Sequence, residues 1–216
     1  MSEIIKAHLA DLAATDRLAR ALASLIERGD TVLLSGDLGA GKTTLVRALA
    51  ASLGIDTRQV SSPTFTVMNE YAGGTIDPII HMDAYRLEGS GEEELLELGW
   101  DHARRAESAA LIEWGERIAG VLATTLERAP LTIELAHAED GGRSATLVFP
   151  DDWAERSAWT VSREIFDALR EGAHDPDRLP PGYPFGSARE QMVDLYHWFG
   201  EAYRVSRPIE QADFDE

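Results

Sequence analysis

The stretch Thr31-Val32-Leu33-Leu34-Ser35-Gly36-Asp37-Leu38-Gly39-Ala40-Gly41-Lys42-Thr43-Thr44 decides the fold. Its first five residues are short, apolar and partly β-branched, the pattern of a buried strand. Gly36 to Thr43 then fits G-x-x-x-x-G-K-[ST] at every fixed position. From Lys42 to Leu53, Leu45, Val46, Leu49 and Leu53 share one stripe, and Gly54 stops the run, which predicts a helix. A strand, a glycine-rich turn and a helix in immediate succession form a phosphate cradle. The glycines let the backbone curl so that successive N–H groups point inward, and the helix adds its positive end. Lys42 is then expected to reach the β- and γ-phosphates and the Thr43 hydroxyl to bind Mg²⁺. Lysine is scarce here: 18 of the 20 basic residues are Arg, leaving only Lys6 and Lys42.

Outward from the cradle, Thr15 to Gly29 carries Leu18, Leu22, Leu25 and Ile26 at helical spacing and predicts an amphipathic helix capped by Thr15. Apolar runs at Phe65 to Met68, Ile79 to Met82, Ala109 to Ile112, Leu131 to Leu135 and Thr146 to Phe149 read as strands. Helical segments fall between them at Glu92 to Ala106 and Ile118 to Arg128. This alternation predicts an α/β fold with a mostly parallel central sheet in three layers, and an antiparallel pair around Gly141-Gly142. The texture changes after Pro150, dividing the chain into a domain of residues 1–150 and a helical C-terminal extension of 151–216. In the extension Ala154, Ala158, Val161, Ile165 and Leu169 form a stripe closed by Gly172. A Pro/Gly-rich segment, Leu179 to Gly186, precedes a last helix capped by Ser187 and Glu190, with Met192, Leu195, Tyr196, Phe199 and Tyr203 on one side. That aromatic side is expected to dock on the parent core or, as the alternative, to form a partner or self-association surface.

Composition narrows the function classes. The 216 residues carry 38 acidic against 20 basic side chains, a formal charge of −18, which disfavours long-range steering onto nucleic acid or an anionic membrane. There is no cysteine, so disulfides, thiolate metal sites, iron–sulfur clusters and thiol nucleophiles are excluded. No run of eighteen apolar residues and no signal-peptide pattern occurs, and the expectation is a soluble, cytoplasmic protein.

Two apolar strands end in an acid, Ile79 to Asp83 and Ala109 to Glu113, which puts both acids at the carboxyl edge of the sheet beside the cradle. Either can partner the metal. His81 reads as an ordinary buried histidine. Between the cradle and Asp83, the hydroxyl-rich Ser61-Ser62-Pro63-Thr64-Phe65 has the make-up of a loop that senses the γ-phosphate through Thr64, or of a plain turn.

Four blocks in this order, Gly36 to Thr44 (GDLGAGKTT), Ser62 to Phe65 (SPTF), His81 to Leu87 (HMDAYRL) and Glu113 to Glu116 (EWGE), resemble the bacterial TsaE family over roughly residues 10 to 155. The resemblance implies a P-loop NTPase-like fold and an ATPase, slow alone, needed for threonylcarbamoyladenosine at position 37 of tRNA. It implies ATP and Mg²⁺ as ligands and TsaB and TsaD as protein partners, through which tRNA is mainly contacted. It also implies that Thr43 and Glu113 hold Mg²⁺, that Asp83 is the catalytic acid near it, and that Thr64 belongs to a switch-like loop. Lys42, with Gly36, Asp37, Leu38, Gly39, Ala40, Gly41, Thr43 and Thr44, would bind the nucleotide. Thr15 would approach its base, and Trp114 would stand beside the nucleotide or the partner surface. The chain departs from the family pattern at Gly115, where proline is usual, at Met82, where an aromatic is usual, and in everything past about Asp152. The competing functions are a small-molecule P-loop kinase, with Arg104-Arg105 as its lid, and a nucleotide-gated binding module without turnover.

Overall fold

The computed structural model describes residues 3–64, 66–87, 89, 91–100 and 108–170. Seven strands form one sheet: β1 (Glu3–Leu9), β2 (Thr31–Ser35), β3 (Met68–Tyr71), β4 (Ile79–Asp83), β5 (Ala109–Glu113), β6 (Leu131–His137) and β7 (Arg143–Phe149). Their spatial order is β1-β7-β6-β2-β5-β4-β3. β6, β2, β5 and β4 run parallel at the centre, and antiparallel pairings close both edges. β6 and β7 are the antiparallel pair expected around Gly141-Gly142. Among the described residues the helices are α1 (Leu12–Ala23), α2 (Lys42–Ser52), α3 (Glu92–Glu97), α4 (Ala119–Thr125) and α5 (Trp159–Arg170). None of the described helices is long and apolar enough to cross a membrane.

Strand alternation splits the apolar residues into two cores, one on each sheet face. Ile79, Ala109 and Leu111 pack with Val32 and Leu34 against the α1 and α2 residues Leu18, Leu22, Leu45 and Leu49. Ile80, Met82, Ala110 and Ile112 face the other way, onto Leu95, Trp100, Ile118 and Leu122. His81 and Asp83 follow Ile79 at intervals of two, and Glu113 follows Leu111, so all three lie on the α2 face of the sheet.

Several expectations shift. β1 was not expected, although Ile5, Ala7 and Leu9 alternate inward and the strand pairs with β7 along its whole length. The strand expected at Phe65 to Met68 begins only at Met68. The chain first turns back, with the Val67 amide donating to the Pro63 carbonyl at 2.6 Å and Val67 at φ 65°; Phe65 lies outside the described residues. α1 starts three residues before Thr15 because Asp11 caps it, accepting from the Ala14 amide at 2.9 Å, and it ends at Ala23 rather than Gly29. In the stretch expected as helix Glu92 to Ala106, α3 ends at Glu97 and Gly99 sits at φ 86°; residues 101–107, with Arg104-Arg105, lie outside the described residues. The helix expected over Ile118 to Arg128 is a 3-10 turn, Gly115–Ile118, followed by α4.

Residues 151–170 share the larger core. After a 3-10 turn at Asp151–Glu155, Trp153, Trp159 and Phe166 surround Phe149, with ring centroids 5.0 to 5.6 Å away. Ala158, Ile165 and Leu169 of the expected stripe pack on this core, but the aromatic nest also buries Ser162 and Phe166, whereas Val161 is 64% exposed and Ala154 precedes the helix. Arg156 clasps the buried Asp30 through both guanidinium nitrogens and also donates to the Leu25 carbonyl. A buried carboxylate left without that partner is costly, so the pair fixes where the chain leaves the sheet. The Gly172 stop, the Pro/Gly-rich segment, the Ser187–Glu190 cap and the aromatic side of the last expected helix lie outside the described residues.

Candidate functional site

The loop between β2 and α2 curls because its glycines permit it. Gly36 has φ 129°, and a Cβ there would stand 2.1 Å from the Leu135 carbonyl oxygen, so no larger residue fits that crossing. Gly41, at φ 105°, is the last residue before α2 and leaves the first helical N–H groups without a side-chain cap. Open N–H groups at a helix start are what an anion needs. Leu38, 69% exposed, is at the loop tip with Asp37 and Gly39, Ala40 is buried, and Thr43 and Thr44 are half-buried on the first turn.

Lys42 is folded into this loop. Its ammonium donates to the Gly36 carbonyl at 2.6 Å and to the Asp37 carbonyl at 3.0 Å, and it lies 3.6 Å from the centre of the Trp114 ring. Burial lowers its pKa below the ordinary lysine value, and Glu113, Glu116, Asp83 and Asp37 oppose that shift. Trp114 takes a left-handed backbone conformation, φ 58°, held by its amide on the Leu34 carbonyl at 2.8 Å. Its ring meets Tyr85 edge-on at 5.2 Å, and the Arg117 guanidinium covers both rings. Gly115 lies against Leu33, whose side chain would crowd a Cβ at 3.1 Å.

The two strand-end acids are register partners on β4 and β5. Thr43 Oγ1 donates to Glu113 Oε2 at 2.9 Å. His81 Nε2 lies 2.9 Å from the other oxygen, Oε1. Asp83 has different partners: Thr64 Oγ1 donates to its Oδ2 at 2.7 Å, Ser62 Oγ stands 2.8 Å from Thr64 Oγ1, and the Tyr85 amide donates to Asp83 Oδ1 at 2.9 Å. Burial raises the Asp83 pKa above the usual aspartate value, against the pull of the Thr64 and Tyr85 hydrogen bonds; Glu113 adds to the rise and His81 opposes it.

Among the described residues no three His, Cys, Asp or Glu side chains converge as a metal cage. A Mg²⁺ ion in a phosphoryl-transfer site is held by one or two protein oxygens together with phosphates and water, so the Thr43 hydroxyl and Glu113 carboxylate fit that ion. Beside the loop a cleft of about 260 Å³ is lined by Leu9, Asp11, Thr15, Gly39, Thr44 and Arg143, among others, and opens toward the start of α2. Thr15 thus lines this cleft from α1, its hydroxyl donating to the Asp11 carbonyl at 3.3 Å.

The structure thus brings Lys42, Thr43, Thr64, Asp83, Glu113 and Trp114 to one edge, with Thr15 on the adjoining cleft. It adds residues that the sequence reading did not single out. Arg143, at the start of β7, donates to the Gly39 carbonyl at 3.2 Å and ties the β6–β7 turn to the loop; an isolated arginine gave no signal. Arg47 donates to the Val60 carbonyl at 3.0 and 2.7 Å and holds the root of the Ser61–Thr64 loop on α2. His81, expected as an ordinary buried histidine, is buried but meets Glu113 and Tyr71 through its two ring nitrogens.

The family model described as "Threonylcarbamoyl adenosine biosynthesis protein TsaE" matches residues 9–145. A tRNA threonylcarbamoyladenosine biosynthesis protein TsaE from Nostoc sp. is 38% identical over 148 residues, covering 68% of this chain and 87% of the relative. Its namesake from Bacillus subtilis is 39% identical over 133 residues, 62% of this chain and 78% of the relative. A crystal structure of Bacillus subtilis YdiB superposes with a TM-score of 0.55 at 28% identity, covering 81% of this chain and 99% of that one. With more than half of its length inside the family match, and with the glycine loop and both strand-end acids falling within it, this chain belongs to the TsaE family.

Proposed function

We propose that the protein is a P-loop ATPase that acts in forming N6-threonylcarbamoyladenosine in tRNA, the process for which its relatives are named. The observation that carries the reading is the joining of the glycine loop to both strand-end acids, with Thr43 bonded to Glu113 and Lys42 within the field of four carboxylates. In this reading the backbone from Gly36 to Thr44 cradles the phosphates of ATP, and Lys42 exchanges its carbonyl partners for phosphate oxygens. The bound Mg²⁺ supplies charge neutralisation to the phosphates. Thr43 and Glu113 hold that ion's position from the protein side. Asp83, oriented by Thr64 and the Tyr85 amide, faces the reacting end, where a buried carboxylate of raised pKa suits proton handling. Thr15 borders the base, and Trp114 closes over the Lys42 side.

The acidic surface supports a division of labour in which TsaB and TsaD are the partner proteins and hold the tRNA, all in the cytoplasm. We assign residues 1–150 to the ATPase domain and 151–216 to a helical extension, whose described part, up to Arg170, packs on the shared core. ATP turnover by the full chain, alone and with TsaB, TsaD and tRNA, tests the proposal. Turnover that is slow alone and rises with the partners is expected. Phosphate transfer to a small-molecule hydroxyl, or hydrolysis that stays at its solitary rate with every partner present, would contradict it.

A further inference from the structure

A histidine that only fills a core needs no particular side chain at its nitrogens, yet both ring nitrogens of His81 face side chains tied to the site. The ring is fully buried on β4. Nε2 lies 2.9 Å from Glu113 Oε1, and Nδ1 lies 3.1 Å from the Tyr71 hydroxyl. A carboxylate oxygen has no proton to give, so Nε2 carries the hydrogen and donates. In the neutral tautomer this leaves Nδ1 as an acceptor, and the hydroxyl of Tyr71 is the donor in front of it. That same hydroxyl lies 3.1 Å from the Ser61 carbonyl oxygen. Asn69 Nδ2 donates into the Tyr71 oxygen at 3.3 Å, so one hydroxyl proton serves two acceptors. One acceptor supports Glu113; the other is the root of the loop that carries Ser62 and Thr64 to Asp83.

Glu113 is therefore pinned at both oxygens, by Thr43 from α2 and by His81 from β4. We propose that His81 is a positioning residue: it locks the Glu113 carboxylate in the orientation that meets Thr43, and through Tyr71 it couples that carboxylate to the Ser61–Thr64 loop. The proposal rests on the nucleotide and magnesium reading above. Groups that orient a ligating side chain change metal affinity strongly without touching the metal. A His81 that merely packs would instead affect all binding alike when replaced.

The test is calorimetric binding of ADP to the full chain, with magnesium and separately with EDTA, for the wild type, His81→Phe and His81→Gln. Glutamine can present an N–H near the position of Nε2; phenylalanine keeps the bulk and presents none. His81→Phe should reduce the magnesium enhancement of ADP binding roughly tenfold or more while affinity in EDTA stays within about twofold, and His81→Gln should recover most of the loss. Unchanged enhancement in His81→Phe, equal losses with and without magnesium, or a glutamine variant as poor as the phenylalanine one would overturn the proposal. Wild-type protein that binds no ADP would sink the nucleotide reading itself, a different failure. Tyr71→Phe removes one oxygen and leaves His81 on Glu113, so it keeps the question decidable if His81→Phe does not fold. Its Ser61, Ser62 and Thr64 amides should exchange hydrogen faster than in the wild type and lose any response of that exchange to magnesium and ADP. Wild-type exchange and response in Tyr71→Phe would overturn the coupling.

Discussion

Asp83 and Glu113 stand side by side at the ends of adjacent parallel strands, on the same face of the sheet, yet they belong to different mechanical parts of the molecule. Glu113 is held by regular elements, with Thr43 on α2 at one oxygen and His81 on β4 at the other. Asp83 is held by irregular backbone, with Thr64 from a loop at one oxygen and the Tyr85 amide from a 3-10 turn at the other. The strand pattern places both acids, but their neighbours differ: Glu113 is fastened to the frame, and Asp83 is fastened to a loop and a 3-10 turn. Lys42 lies in the field of both.

The harshest way to break this pairing is to remove the charge that both acids act on. Lys42→Ala should lower ATP turnover on the order of 100-fold or more in a steady-state phosphate-release assay, because charge stabilisation of the transferring phosphoryl group is a dominant contribution. Turnover near the wild-type rate would mean that the glycine loop is not the phosphate site.

A sharper comparison substitutes the acids one at a time. Glu113→Gln should raise the magnesium concentration needed for half-maximal ADP binding roughly tenfold, while Asp83→Asn shifts it by less than about threefold. Equal shifts in a magnesium titration would erase the distinction between frame and loop.

Protonation of the nucleotide-free protein separates the acids further. Burial raises the Asp83 pKa, so the folded state holds that proton more tightly than the unfolded chain. The resulting stability is complete below the ordinary aspartate pKa and is lost as pH rises through the folded-state value. Lys42, Glu113 and His81 are the charged or titratable groups facing this carboxylate. Asp83→Asn should therefore melt above the wild type at about pH 7, with the gain shrinking toward about pH 4, where the wild-type group is itself neutral. A gain that does not depend on pH would remove burial of the charge as its cause.

The smallest effect is expected at Thr64→Val, which takes one hydroxyl from Asp83 and leaves the Tyr85 amide in place. Denaturant unfolding should show a loss of about 0.5–1.5 kcal/mol, the ordinary worth of one hydrogen bond. No loss at all would argue that the Thr64–Asp83 contact is not populated in solution.

Much of this edge was legible in the sequence because its signals are local. Thr31 to Thr44 carries strand, turn chemistry and helix in one unbroken stretch, and an apolar run ending in an acid announces both Asp83 and Glu113. What was hidden depends on residues far apart in the chain. The alternation of Ile5, Ala7 and Leu9 makes a strand only because β7 offers an edge to pair with. The expected strand at Phe65 to Met68 was displaced because the Pro63 carbonyl captures the Val67 amide first, a turn that apolar patterning does not encode. Ala158, Ile165 and Leu169 of the expected stripe reach the core, but Val161 is exposed and Phe166 joins them because Phe149, ten residues before the helix, collects Trp159 and Phe166. Likewise the roles of Tyr71, Arg47 and Arg143 arise from contacts with carbonyl groups, which no side-chain motif reports.

The central claim is that the loop from Gly36 to Thr44 receives the polyphosphate of ATP with Lys42 at its heart. Calorimetric titration of the full chain with ATP and magnesium tests it most directly. Saturable binding of one nucleotide per chain, weakening sharply in Lys42→Ala, is expected. An absence of binding heat across temperatures, or a Lys42→Ala titration that overlays the wild type, would contradict it.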